Sequence, residues 1–464
     1  MLKIQEDLLI YENDINDVIH IFAQYYNDDE CKIEIQCKNT GKFRIIDIVL
    51  NNISYNEEIE ILDQILKDKR LIKRTIKFLL YKALSEFYNI SMPWGSLTGV
   101  RPSKLVYDML DDGIKMEEIP YLLNQDFAVS KEKANLICEV VKNQLEVKLK
   151  DEEVDFYINI PICPTRCSYC SFISSEYERC KKYIDDYVLS LIKEINTMKE
   201  MIKAKGLRIK NIYMGGGTPT TLTSEQLNMI LSTIDFPFKE FTVECGRPDT
   251  ITKDKLEVLK NHNITRISIN PQTLNDKTLE IIGRKHTSED FYNKYNLAKN
   301  YDFTINTDLI AGLPNETFED FKLTLDKIIE LNPNNITIHT LAVKRASVLI
   351  QNIENLKDNF IQNMVEYAYD KLKENYYKPY YLYRQKNMLG LYENVGYFKG
   401  SDICEFNVES MEEKMSIIAC GAGAISKRIF RDESRIERCA NVKQITDYIV
   451  RIDEMIERKI DLFN

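Results

Sequence analysis

The stretch Ile162-Cys163-Pro164-Thr165-Arg166-Cys167-Ser168-Tyr169-Cys170 spaces three cysteines as C-x3-C-x2-C. Three thiolates brought so close together can grip one small inorganic cluster. Iron–sulfur cubanes usually take four cysteines, one per iron. Three ligands leave one iron open to a non-protein ligand, which turns an electron store into a reactive centre. A zinc site would need a fourth donor. Cys180 is available, yet no second C-x2-C pair or nearby histidine completes the usual spacing. A disulfide framework fits worse still, because the eleven cysteines are odd in number and scattered through 464 residues.

Composition narrows the rest. A net charge of −10 argues against a nucleic-acid binder, which would show a basic face. The start, Met1-Leu2-Lys3-Ile4-Gln5-Glu6-Asp7, is acidic and has no charged segment leading into an apolar one, so a cytoplasmic protein with reduced thiols is expected. No run approaches the length needed to cross a bilayer, and no membrane insertion is expected. The chain length predicts two or three domains.

From Asp155 onward, short apolar runs alternate with longer amphipathic stretches. Strands are predicted at Phe156–Ile160, Asn211–Met214, Phe241–Cys245, Arg266–Asn270, Phe303–Ile310 and Ile336–Thr340. Between them, Thr223-x-x-Gln226 is a capping-box helix start, and Phe318, Phe321, Leu325, Ile328 and Ile329 mark one apolar helix face. Six βα units in a row predict an α/β fold with a parallel sheet and helices outside, short of the eight that close a barrel. Functional residues of parallel barrels sit at the C-terminal strand ends, and the polar and glycine-rich residues here fall there.

The flanks differ. Residues 1–150 read as an N-terminal α+β accessory region, with strands at Lys32–Cys37 and Phe43–Leu50 and helices at Ile59–Tyr88 and Ser130–Val147. Between these helices, Met92–Pro102 reads as a structured linker. Residues 151–345 form the barrel. Residues 346–464, with a helix at Asn359–Asn375, strands near Tyr380–Tyr383 and Ile417–Cys420 and a helix from Val442 onward, read as a smaller α/β lid.

Individual motifs carry chemistry. Gly215-Gly216-Gly217-Thr218 lacks the Lys-Ser/Thr of a phosphate loop, and close backbone approach to a ligand suits it better. Glu244 and Asp308, near strand ends, suit ribose hydroxyls. Arg284 can clamp a carboxylate bidentately. His339 ends the sixth strand and reads as structural, while Cys31, Cys37, Cys138, Cys245, Cys404, Cys420 and Cys439 read as packing or surface thiols.

The cysteine spacing resembles the radical S-adenosylmethionine (SAM) superfamily, whose partial (β/α)6 TIM-like barrel has the predicted form. Longer phrases narrow the resemblance. Tyr157 through Phe172, Gly215–Thr220, Glu244-Cys245-Gly246-Arg247-Pro248-Asp249, Arg266–Thr273 and Asp308–Pro314 are similar to the oxygen-independent coproporphyrinogen III dehydrogenase (oxidase) family. His339–Arg345, the extra N-terminal region and Trp94–Pro102 resemble its HemZ-type branch.

That resemblance implies a 4Fe-4S cluster on Cys163, Cys167 and Cys170, and two SAM molecules. Tyr157, Gly216, Glu244, Ala342 and Ile425 would contact the cluster-bound SAM; Tyr169, Gly217, Thr218, Gln272, Arg284 and Asp308 would contact the second. It implies oxidative decarboxylation of coproporphyrinogen III to protoporphyrinogen IX in haem biosynthesis, with a flavodoxin or ferredoxin as electron donor. Lys344, Arg345, Arg384, Lys386, Lys427 and Arg428 are the candidate cations for substrate carboxylates. Two departures keep alternatives open. Ser171-Phe172 follows Cys170 where the dehydrogenases carry a further cysteine, a feature shared with HemW-type haem chaperones. The chaperones' His-Asn-x-x-Tyr-Trp signature is in turn missing, its nearest counterpart being Lys386–Leu391. A radical SAM enzyme acting on another carboxylate substrate is the third reading.

Overall fold

The computed structural model describes residues 2–23, 31–61, 65–170, 172, 175–342, 358–385, 392–431, 433 and 435–464. They fall into two compact units, Met1–Val141 and Lys142–Asn464.

The first unit carries a four-stranded sheet of β1 (Leu2–Ile4), β2 (Ile33–Thr40), β3 (Phe43–Leu50) and β4 (Ile53–Glu60) in that order. Alternate residues Ile33 and Ile35, with Ile46, Ile48 and Leu50, are buried, as are Ile76, Leu80 and Leu84 of the helix Ile65–Tyr88. The helix expected from Ile59 therefore begins later. Asn51 and Asn52 adopt positive φ (48° and 72°), the two-residue turn that folds β4 back on β3. Asparagine tolerates that conformation, and the pairing overrides the helical pattern. Met92–Pro102 lies inside this unit and does not link domains: Trp94 is buried, and the Ser96 amide donates to Phe127 O at 2.8 Å.

The second unit is built on an eleven-stranded sheet. Its centre is β5 (Glu153–Ile160), β8 (Arg208–Gly216), β9 (Glu240–Glu244), β10 (Arg266–Ser268), β11 (Thr304–Ala311) and β12 (Asn335–Thr340), all parallel and adjacent in chain order. Each crossover moves to the next position in one direction, which is the winding of a barrel. Between β5 and β8 the chain adds the short pair β6 (Ile162–Cys163) and β7 (Ser175–Glu176). The predicted capping box at Thr223 is present, and Thr287 and Thr317 begin helices in the same way.

Strands from the last hundred residues extend both ends of this sheet. β13 (Lys378–Tyr383) and β14 (Asn394–Phe398) lie beyond β12, while β15 (Ile417–Cys420), β16 (Ile425–Phe430) and β17 (Arg435–Ala440) lie beyond β5. β15 is parallel to β5, β16 is antiparallel to β15, and β17 is antiparallel to β16.

The central strands alternate, apart from a bulge in β8 between Ile209 and Ile212. Phe156, Ile158, Ile212, Met214, Phe241, Val243, Ile267, Ile336 and Ile338 are buried on one face, the face a barrel turns to its helices. The other face carries Asp155, Tyr157, Asn159, Asn211, Tyr213, Glu240, Glu244, Arg266, Asn306, Asp308, Asn335 and His339. The segment 402–411 packs against it. Arg266 pairs with Glu240 (2.8 Å) and donates to Asp402 O and Ile403 O (both 3.2 Å); Lys210 pairs with Glu405 (3.0 Å) and Glu409; Phe406 stacks on Tyr213 with centroids 4.7 Å apart. The buried cations Lys210 and Arg266 survive here because each is paired with a carboxylate.

Candidate active site

Two glycines let the cysteine loop and the glycine run touch. Gly217 N donates to Ile160 O and Thr218 N to Ile162 O, both at 2.8 Å. A Cβ on Gly217 would sit 2.5 Å from Ile162 O, and one on Gly216 (φ 107°) 2.0 Å from Asn159 Oδ1. The glycines thus serve approach between two loops of the chain itself, a use the sequence alone does not separate from ligand approach. The contact brings Thr218 Oγ1 to 3.6 Å from Cys163 Sγ.

Cys163, Cys167 and Cys170 line one cavity of about 220 Å³ with Tyr169, Gly216, Gly217, Thr218, Glu244, Gln272, Arg284, Asp308 and Ala342. An adjoining cavity of about 370 Å³ holds Tyr157 and Ile425, with Asn159 and Lys427. Gly216 and Phe172 line both. All six residues expected around the second SAM therefore face the first cavity. Those expected around the cluster-bound SAM are divided: Glu244 and Ala342 face the first, Tyr157 and Ile425 the second, and Gly216 both. Among the described residues no three His, Cys, Asp or Glu side chains converge on a point suited to a single ion. Cys180, the spare thiol for a zinc reading, is buried and donates to Glu176 O at 3.4 Å.

The carboxylates differ. Burial pushes Glu244 up to about 7, against the hydrogen bond from Tyr213 Oη (2.8 Å) and with the help of Asp308. Burial would raise Asp308 too, but His339, Asn306 and Thr337 outweigh it and hold the group below the usual carboxylate range. Asn270 Nδ2 (2.9 Å) and Asn306 Nδ2 (2.8 Å) donate to its two oxygens, and His339 Nε2 lies 3.6 Å away. Gln272 adopts φ 68° as its amide bonds Asp308 O at 3.1 Å. Strained backbone of that kind gathers at functional sites. Arg284 donates to Gly246 O (2.9 Å), Asn270 O (2.6 Å) and Tyr169 Oη (3.0 Å).

Of the proposed substrate cations, Lys427 lines the second cavity. Arg384 is buried beside Glu393, and Arg428 donates to Leu462 O at 2.9 Å; neither lines a cavity of this pair. Lys344, Arg345 and Lys386, with the Lys386–Leu391 stretch and Ser171, lie outside the described residues. His339, read from sequence as structural, lines the first cavity, as do Asn270 and Arg247. Following the strand alternation along β12 and past the end of β10 would have found His339 and Asn270.

Comparison with known proteins agrees with this geometry. The Radical SAM superfamily profile matches residues 157–328. A Bacillus subtilis (strain 168) protein described as oxygen-independent coproporphyrinogen-III oxidase-like protein HemZ is 39% identical over 404 residues, 84% of this chain and 80% of the relative. The chain belongs to this HemZ-like family of radical SAM proteins. The HemZ-like chain also resembles the heme chaperone HemW of the same organism, 34% identical over 41% of this chain and 51% of that protein. Among solved structures, Escherichia coli coproporphyrinogen III oxidase (HemN), titled a radical SAM enzyme, superposes with TM-score 0.53 at 22% identity, over 66% of this chain and 70% of that one, and so shares the fold.

Superfamily membership brings a 4Fe-4S cluster and SAM as cofactors. The residues fit them. Three thiols and no fourth face one cavity, and Gln272 Oε1 and Arg284 Nε beside them are buried without a hydrogen-bond partner in the chain. No helix among the described residues is long and apolar enough to cross a membrane.

Proposed function

We propose that the protein catalyses oxygen-independent oxidative decarboxylation of two propionate side chains of coproporphyrinogen III, giving the vinyl groups of protoporphyrinogen IX in the cytoplasm. One observation carries the reading: the residues expected around two SAM molecules line two adjoining cavities that share Gly216 and Phe172, and the three cysteines open into the first.

When bound, cluster and SAM would supply one-electron cleavage of a sulfonium and a carbon radical able to take a hydrogen atom from the propionate β-carbon, after which carbon dioxide leaves and an external one-electron acceptor takes the remaining electron, giving the vinyl group. The chain does the rest. Cys163, Cys167 and Cys170 hold the cluster. Glu244 and Asp308 accept hydrogen bonds from ribose hydroxyls, and Arg284 offers its Nε to a methionyl carboxylate. The stacked rings of Tyr157, Tyr213 and Phe406 keep water from the polar face beneath. Lys427 meets a substrate carboxylate in the second cavity. Residues 346–464 cover the substrate, residues 1–150 form an accessory region, and a flavodoxin or ferredoxin delivers the electron.

The similarity to HemW favours a second reading, haem binding and delivery, which shares Ser171-Phe172 but lacks the chaperone signature. Anaerobic incubation of reconstituted protein with SAM, a reductant and coproporphyrinogen separates them. Vinyl product with release of carbon dioxide supports the dehydrogenase. Stoichiometric haem binding without turnover refutes it in favour of a chaperone, and SAM cleavage with neither outcome points to another carboxylate substrate.

A further inference from the structure

Arg247 stands out among the residues around the cysteines. It follows β9 in the loop after Glu244, is 2% exposed, and reaches across to the cysteine loop. Nη1 lies 3.6 Å from Cys167 Sγ and 3.2 Å from both the carbonyl and hydroxyl oxygens of Thr165; Nη2 also donates to Thr165 Oγ1 at 3.2 Å. Its other edge is held by Asp249, with Nε to Oδ1 and Nη2 to Oδ2 each at 3.0 Å. The Asp249 side chain is 22% exposed and that of Arg247 only 3%.

Such a pair does more than pack. Asp249 fixes the plane of the guanidinium, so one N–H is aimed at the sulfur with little freedom to leave it. Hydrogen bonds to ligand sulfurs and net charge are among the protein's levers on the potential of an iron–sulfur cluster. A donor and positive charge at a thiolate favour the reduced cluster, which carries one more negative charge. Burial keeps that field from being screened by solvent. Arg284 donates to Gly246 O at 2.9 Å, so the loop that delivers Arg247 is clamped from its other side.

We propose that Arg247 is a positioning residue that raises the reduction potential of the cluster through Cys167, and that Asp249 aims it while moderating its charge. The inference rests on the cluster alone and is independent of the substrate. A merely structural latch between the two loops would alter how much cluster is held without altering its potential.

The test is an anaerobic dithionite titration of the reconstituted full-length protein without substrate, followed by electron paramagnetic resonance, with iron and sulfide measured on the same samples. Arg247→Gln should lower the midpoint potential of the one-electron couple. Asp249→Asn, which leaves Arg247 in place and removes the opposing charge, should raise it. Opposite shifts support the proposal. Shifts of the same sign, or unchanged potentials with altered iron content, overturn it. Should Arg247→Gln fail to hold a cluster, Asp249→Asn decides alone: an upward shift supports the proposal, and none refutes it.

Discussion

Replacing Glu244 by glutamine should stabilise the protein at alkaline pH while weakening its hold on SAM. The carboxyl is enclosed on the polar face of the sheet, and burial pushes it up to about 7 from an ordinary 4.5, with Tyr213 opposing and Asp308 adding to the rise. A folded carboxyl that binds its proton more tightly than the unfolded chain takes up a proton on folding between those two values. Stability therefore falls as pH rises through that window and stays low above it. The gap corresponds to about 3 kcal/mol at alkaline pH. Glutamine keeps the shape and carries no such penalty. Urea unfolding of the cluster-free protein should give a Glu244→Gln variant about 3 kcal/mol more stable than the parent near pH 8.5, and nearly equal to it near pH 4.5. Calorimetry on the cluster-loaded protein should show weaker SAM binding. A stability difference that does not change with pH would refute the reasoning, because it would mean Glu244 is not ionised against its surroundings.

Other perturbations separate the parts of the architecture. Lys459→Met should cost about 3–5 kcal/mol in urea unfolding, since Lys459 and Glu194 pair with neither side chain exposed and a buried carboxylate would be left without its counter-charge; adding Glu194→Gln should recover part of the loss. Phe406→Ala should cost about 3–5 kcal/mol by opening a cavity beneath Tyr157 and Tyr213, read as a lowered urea midpoint. Gly217→Ala should reduce iron and sulfide incorporation, because its Cβ meets the Ile162 carbonyl, whereas Gly99→Ala, with nothing within 4 Å, should leave it unchanged. Cys167→Ala should abolish the visible absorbance of the reconstituted protein, and a retained spectrum would overturn the assignment of the cluster ligands.

The parallel centre was legible because its outer-face residues are mostly apolar and its crossovers are helices with caps, such as Thr223 and Thr317. The flanking strands were less so. β14, Asn394–Phe398, is short, and β17, Arg435–Ala440, is an edge strand with exposed charged residues that lacks a two-residue apolar period. The candidate site was legible wherever a motif fell at a strand end, as at Glu244 and Gln272. Arg247 was not, although it stands in a quoted phrase, because nothing local shows that a cation three residues past a strand will meet a thiol eighty positions earlier.

The same long-range dependence explains why the carboxy-terminal third extends the sheet that the central strands begin. An inner face bearing Asp155, Glu240 and Arg266 cannot be left against apolar neighbours, and cannot be left wet beside a site that must exclude water. Residues 402–411 meet both demands, with Glu405 and Glu409 on Lys210, the Asp402 and Ile403 carbonyls on Arg266, and Phe406 on Tyr213. At the other end of β5, Asn159 donates to Ala422 O at 2.5 Å, and Gly421 N donates to Glu194 at 2.7 Å, the carboxylate that Lys459 also holds. The last helix thereby braces the turn that abuts the strand leading into the cysteine loop. Segments that the sequence places in a smaller α/β lid thus also cover the polar interior beneath the site, through the helix Glu405–Met411 and the last helix Ile452–Phe463.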